Sequence, residues 1–202
     1  MTSAESSMHD LDLGVDVIHR LLPHRPPFLF VDRVVSFGAT ARGPIVRAAR
    51  LISSSDPAFV GHFPGLHLWP GVLTIEAMGQ ASQLAETLGY IVERFEREGA
   101  SAEDAMRALK ALERVHRMER GPATRAAQQF EALLAAEKPR IGLSAAVDVR
   151  FSEPVFAGSR LDLEAVRTHV SGAVRRYDVS AKVEGRIVAK GSMTASIVEP
   201  EP

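Results

Sequence analysis

The chain predicts an α+β fold in which one antiparallel sheet wraps around a single buried helix, and three observations carry that reading. The segment that starts at Pro70-Gly71 is small or apolar on nearly every side, through Val72, Leu73, Ile75, Ala77, Met78, Gly79 and Ala81, and such a helix has to be covered on most sides. The last third alternates with period two: Tyr177, Val179, Ala181 and Val183, then Ile187, Ala189, Gly191, Met193, Ala195 and Ile197, the mark of half-buried strands. The order of elements is two strands, the apolar helix, a charged helical stretch and four strands. A single sheet closed around the helix satisfies it.

Ser, Glu and Asp dominate the first dozen residues, which are expected to be loosely ordered. Asp16 to Leu22 reads as a short helix stopped by Pro23. Phe28 to Phe37, FLFVDRVVSF, is aromatic and β-branched and reads as a strand, with Gly38 at its turn. Thr40 to Ile52 is the return strand, and Pro44 argues for an edge or bulge position there. Ser53 to Pro70 is a long Pro/Gly-containing loop, a length that usually signals function. The helix from Gly71 extends to about Arg97, with charges from Glu86 onward.

Residues 91–140 differ in composition, with 10 Lys or Arg and 9 Asp or Glu in 50 positions against 24% charged overall. Ser101 with Asp104 resembles a capping box. Met106, Leu109 and Leu112 recur at helical spacing. Gly121-Pro122 breaks the pattern; Ala126, Phe130, Leu133 and Leu134 resume it until Lys138-Pro139. The expectation is an exposed helical hairpin, 91–140, inserted within one domain, 1–202. Ile141 to Phe151, Leu161 to Val170 and the two alternating runs then form a four-strand meander. Its turns fall at Ser171-Gly172 and Glu184-Gly185, and the Val-Glu-Pro-Glu-Pro end is expected to fray.

Composition removes several function classes. A formal net charge of -1 lacks the basic excess of a nucleic-acid binder. The absence of cysteine excludes disulfides, thiol nucleophiles and thiolate metal sites and fits a cytoplasmic location. No apolar run reaches the roughly 18–20 residues of a membrane span, and the N-terminus does not read as a signal peptide.

The chemistry concentrates in Gly61 to Gln80, GHFPGLHLWPGVLTIEAMGQ. His62 lies in the loop, and an imidazole titrates near neutrality, as a general base should. Glu76 lies in the apolar helix, and a carboxyl group in apolar surroundings favours its neutral, acidic form. The amide of Gly71, in the first helical turn, has no intrahelical partner and can meet a developing oxyanion. Glu76 follows five residues later, roughly 7 Å further along the axis. These groups suit removal of water from a 3-hydroxyacyl thioester. On residue chemistry alone the alternatives stay open. His62 can be a surface or structural histidine, and Glu76 can be salt-bridged by Arg33 or Arg150. Gln80, one turn after Glu76, can orient the carboxyl group or simply pack. His24 and Arg25 read as braces of a turn, and Trp69 as core or tunnel lining.

Three ordered motifs add a resemblance. LPHRPPFLFVDRV (Leu22 to Val34), GHFPG (Gly61 to Gly65) and PGVLTIEAMGQA (Pro70 to Ala81) resemble the FabZ-type β-hydroxyacyl-acyl carrier protein dehydratases. The resemblance implies a hotdog fold and a homodimer, with a trimer of dimers left open. It implies His62 and Glu76 as catalytic partners contributed by different subunits, and Gly71 as the oxyanion donor. It further implies a (3R)-hydroxyacyl substrate on the phosphopantetheine arm of acyl carrier protein, a trans-2-enoyl product, and no metal or redox cofactor. Glutamate rather than aspartate at position 76 favours dehydration without isomerisation. The chain departs from the family's basic segment at Arg150-Phe151-Ser152-Glu153-Pro154-Val155, where Glu153 reverses a positive charge and bears on docking of an acidic carrier. The competing functions are a hotdog acyl thioesterase and a non-catalytic acyl-binding subunit.

Overall fold

In the computed structural model, residues 8–118, 123–136 and 141–198 are described. Seven strands form one antiparallel sheet: β1 (Met8–Leu13), β2 (Arg33–Thr40), β3 (Gly43–Leu51), β4 (Ile141–Phe151), β5 (Arg160–Ser171), β6 (Val174–Val183) and β7 (Arg186–Val198). Their order across the sheet is β1-β2-β3-β5-β6-β7-β4. The helices are α1 (Val15–Leu21), α2 (Gly71–Arg97), α3 (Ala102–His116) and α4 (Ala123–Ala136).

The long helix starts where the sequence predicts, with Pro70 as N-cap in an extended conformation. From Ala77 to Ile91 it is mostly enclosed: Ala77, Met78, Ala81, Leu84, Ala85 and Leu88 are all fully buried against a sheet that contacts it through β3, β4, β5 and β6. Small residues let the sheet close in. A Cβ on Gly79 would stand 3.3 Å from Met193 Cε, and one on Gly89 would stand 3.3 Å from Pro44 Cγ.

Several expectations are corrected. β1 occupies part of the segment expected to be loose; it pairs with β2 and buries Leu11 and Leu13. The strand expected from Phe28 begins only at Arg33, because Phe28 to Phe30 run alongside α2 instead, held by its Gln80 side chain. Gly38 is not a turn but pairs within the sheet with Met8 and Ile45. The turn lies beyond Thr40, whose hydroxyl accepts from the amides of Arg42 and Gly43, both at 3.2 Å. Pro44 lies on an interior strand, tolerated because the β3–β5 ladder starts only at Ile45. The four-strand meander is three strands, β5-β6-β7. β4 crosses over to pair with β7 at the sheet's far edge.

The charged stretch is less exposed than expected. The capping box at Ser101 and Asp104 is present, and α3 buries Ala105, Met106, Leu109 and Leu112 in the main core. Glu113 is buried and accepts from the Gly14 amide at 2.8 Å, which ties α3 to the start of α1. Phe130 of α4 is also buried, 5.9 Å from the Phe95 ring of α2. The break at Gly121-Pro122, the stop at Lys138-Pro139, the first seven residues, the last four, and the side chains of Ala126 and Leu133 lie outside the described residues.

Gly191 on β7 sits against the backbone of β4: an added Cβ would lie 1.9 Å from Asp148 O. Backbone cannot yield as a flexible side chain can, so Gly191→Ala is expected to separate β4 from β7. It should lower stability by about 2–3 kcal/mol, read as a lower denaturation midpoint in urea.

Candidate active site

The loop that carries His62 is braced by one half-buried arginine. Arg50 of β3 donates to Asp32 at 2.9 Å and to Asp56 at 2.7 Å, and its guanidinium lies over the rings of Phe30 and Trp69. Asp56 caps the 3₁₀ turn Pro57–Val60 by accepting from the Ala58 amide at 3.0 Å. The His62 amide donates to Ala58 O at 3.1 Å. At the other end of the loop, Trp69 N donates to Val155 O at 2.8 Å and Leu68 forms a bridge with Phe156.

This scaffold fixes the imidazole. His62 Nδ1 lies 2.9 Å from Leu68 O. A carbonyl oxygen only accepts, so Nδ1 carries a proton, and in the neutral ring the lone pair falls on Nε2. The Phe63 ring stacks on the imidazole with centroids 4.2 Å apart. His62 and Gly71 line one cleft of about 350 Å³ with Trp69, Thr74, Phe151 and Val155. Trp69 is therefore both core and cleft wall. Phe151 closes tightly on Gly71: a Cβ there would stand 3.0 Å from the ring. Only the position of Phe151 in the altered basic segment marked it in the sequence. Glu153 also lines this cleft, 3.8 Å from Arg186.

Glu76 occupies a second cavity, of about 250 Å³, with His24, Phe28, Gln80, Tyr177 and Met193. Within one chain His62 and Glu76 are thus in separate cavities. The expected apolar burial of Glu76 is not met: its side chain is 32% exposed. The first turn of α2 stands at the surface, where Val72 is 69% exposed, and full enclosure begins at Ala77.

Polar groups hold Glu76, and neither arginine offered as its partner does so. Arg33 pairs with Asp12, and Arg150 stands opposite Lys190 on β4. Gln80 is 1% exposed. It accepts from Phe30 N at 2.8 Å, and its Nε2 donates to Phe28 O and to Glu76 Oε1, both at 2.9 Å. The Phe30 amide can only donate, which settles the orientation of the Gln80 amide. Gln80 orients the carboxyl group as well as packing. His24 Nε2 lies 3.7 Å from the same Oε1. Burial holds the His24 imidazole below its ordinary range, against the opposing pull of Glu76 and with the help of the Arg25 charge. Arg25 is the brace expected of it, donating to the carbonyls of His19, Leu22 and His24.

Among the described residues no group of three or more His, Cys, Asp or Glu could hold a metal ion, and no helix is long and apolar enough to cross a membrane.

An antiparallel sheet curled around one long helix, with acid–base residues near that helix's N-terminus, defines a hotdog-fold protein. The dehydratase heterocomplex ApeI:P from Xenorhabdus doucetiae has a similar fold, with a TM-score of 0.56 and 16% identity over 91% of each chain. Residues 22–119 match the FabA-like domain. The 3-hydroxyacyl-[acyl-carrier-protein] dehydratase FabZ of Anaeromyxobacter sp. (strain K) is 33% identical over 189 residues, covering 94% of this chain and 93% of that protein. FabZ of Pectobacterium atrosepticum is 32% identical over 182 residues, covering 90% of each. The chain belongs to the FabZ family of 3-hydroxyacyl-[acyl-carrier-protein] dehydratases.

Arg50→Lys tests the brace. An ammonium cannot bridge two carboxylates and cover two rings as a planar guanidinium does. The variant is expected to lose about 1 kcal/mol of stability through two weakened, half-buried ion pairs, read in urea unfolding. It should also lower turnover by loosening His62.

Proposed function

We propose that the chain dehydrates (3R)-3-hydroxyacyl thioesters carried by acyl carrier protein, with His62 as base, Glu76 of a second copy as acid and the Gly71 amide as oxyanion donor. His62 Nε2 takes the C2 proton. Negative charge builds on the thioester oxygen, where the Gly71 N–H and the positive end of α2 stabilise it. Glu76, in its carboxylic-acid form, protonates the C3 hydroxyl. The C3–O bond breaks, the C2=C3 bond forms and water leaves. His62 ends protonated and Glu76 ionised, and proton exchange resets both. No metal or redox cofactor enters these steps.

The observation that carries the reading is the Nδ1 contact to Leu68 O. It leaves Nε2 as a lone-pair base in the same cleft as the N-terminus of α2. The separation of His62 and Glu76 into two cavities supports a homodimer in which each copy supplies half of a site. The exposed apolar residues Val60, Phe63, Leu66 and Val72 around the His62 cleft support the same assembly, as partner-facing surface. A trimer of such dimers and a cytoplasmic location are part of the same proposal.

His62→Ala and Glu76→Gln are each expected to lower kcat/KM by about 10²–10⁴-fold while the proteins stay folded. The assay follows enoyl formation from a hydroxyacyl thioester; release of free thiol instead would identify a thioesterase. Mixing the two variants after reversible dissociation tests the shared site. Random two-fold pairing should restore about a quarter of wild-type activity, because one site in each mixed dimer is intact. If both residues act within one chain, mixing restores none.

A further inference from the structure

The motif segment around His24 has a role beyond bracing α1. His24 lines the Glu76 cavity, its side chain is 24% exposed, and its Nε2 lies 3.7 Å from Glu76 Oε1. Its Nδ1 is buried with no hydrogen-bond partner among the described residues. A proton on Nδ1 would have no acceptor, whereas a proton on Nε2 faces a carboxyl oxygen. The favoured state is therefore a neutral imidazole with its N–H directed at Oε1. Gln80 donates to the same oxygen at 2.9 Å, and its own orientation is locked by the backbone of Phe28 and Phe30.

We propose that His24 is a positioning residue for Glu76: its uncharged imidazole and the Gln80 amide both address Oε1, which fixes the carboxyl group and leaves Oε2 as the oxygen that delivers the proton. This rests on the reading that Glu76 is the acid. Two donors aimed at one oxygen orient the carboxyl group and leave the other oxygen free. The other charged or titratable groups nearby do not replace His24. The Arg25 guanidinium is directed at three backbone carbonyls. The Tyr177 hydroxyl, also on this cavity, donates to Glu86 at 3.3 Å, and burial keeps it protonated.

Two measurements on the full chain test the proposal. Nitrogen-15 NMR of labelled histidine in the wild-type protein, with His24 assigned through its backbone, is expected to show a neutral ring protonated on Nε2 at neutral pH. Its signal should shift in Glu76→Gln. An imidazolium or an Nδ1-protonated ring overturns the proposal without any variant of His24. In turnover assays His24→Leu should lower kcat by about 10–100-fold with KM nearly unchanged and move the pH dependence of kcat. His24→Gln, which returns a neutral donor, should recover most of the rate. Equal loss in both variants, or none in either, overturns the proposal. Full turnover in Glu76→Gln would instead overturn the assignment of the acid itself. An inactive Glu76→Gln beside a fully active His24→Leu would remove only the role given to His24.

Discussion

Gln80 joins the fold to the site. Its side chain is almost wholly buried in α2, where an unpaired amide would be costly. The chain satisfies it with the backbone of Phe28 and Phe30 on one side and the carboxyl group of Glu76 on the other. One residue thereby lays the aromatic segment before β2 along the helix, starts β2 late and sets the direction of Glu76. Phe30 then forms part of the aromatic group, with Trp69 and Phe59, over which Arg50 braces the His62 loop. The surroundings of His62 and Glu76 are thus coupled through packing, although the two side chains line different cavities.

That coupling explains why the site sits at the N-terminal end of α2. From Ala77 to Ile91 the helix is packed against the sheet and α3. Val72 in its first turn and Glu76 in its second remain partly open, and the amide of Gly71 has no partner within the helix. Gly71 combines an open amide with close approach of the Phe151 ring. The helical stretch after α2 is core rather than ornament, because Met106, Leu109 and Leu112 fill space beneath β1 and α1.

The sequence disclosed what is encoded locally. Pro70-Gly71 marks the start of α2. The capping box at Ser101 is a three-residue signal. The turn at Glu184-Gly185 has positive φ at both residues, 49° and 79°, as a tight hairpin requires. His62 and Glu76 stood out because titratable groups in a Gly/Pro loop and an apolar helix conflict with their surroundings. Features set by distant partners were not legible. β1 is half polar and exists through its pairing with β2 and the cover of α3. The sequence marks β4 as a strand but not that its neighbour is β7. Nothing local marks Arg50, on which Asp32, Asp56 and two aromatic rings converge only in the fold. His24 reads as a turn residue until the fold brings it to Glu76.

Two of the glutamates of α2, Glu76 and Glu86, show how surroundings divide their work. Glu86, ten residues after Glu76, is buried and meets two guanidiniums, Arg167 at 3.0 Å and Arg175 at 3.0 Å, plus the Tyr177 hydroxyl. Cations on both oxygens fix it as the anionic centre of a buried network, and burial together with that charge pushes the Tyr177 hydroxyl well above its ordinary range, so it stays a donor. That network anchors β5 and β6 to the helix. Glu76 meets no guanidinium among the described residues; its Oε1 faces an amide and an imidazole, and its cavity is open to solvent. The same residue type on the same helix is an anchor where the sheet supplies cations and a candidate acid where the motif segment supplies neutral donors. The identity of those neighbours, more than the carboxyl group itself, separates the two roles.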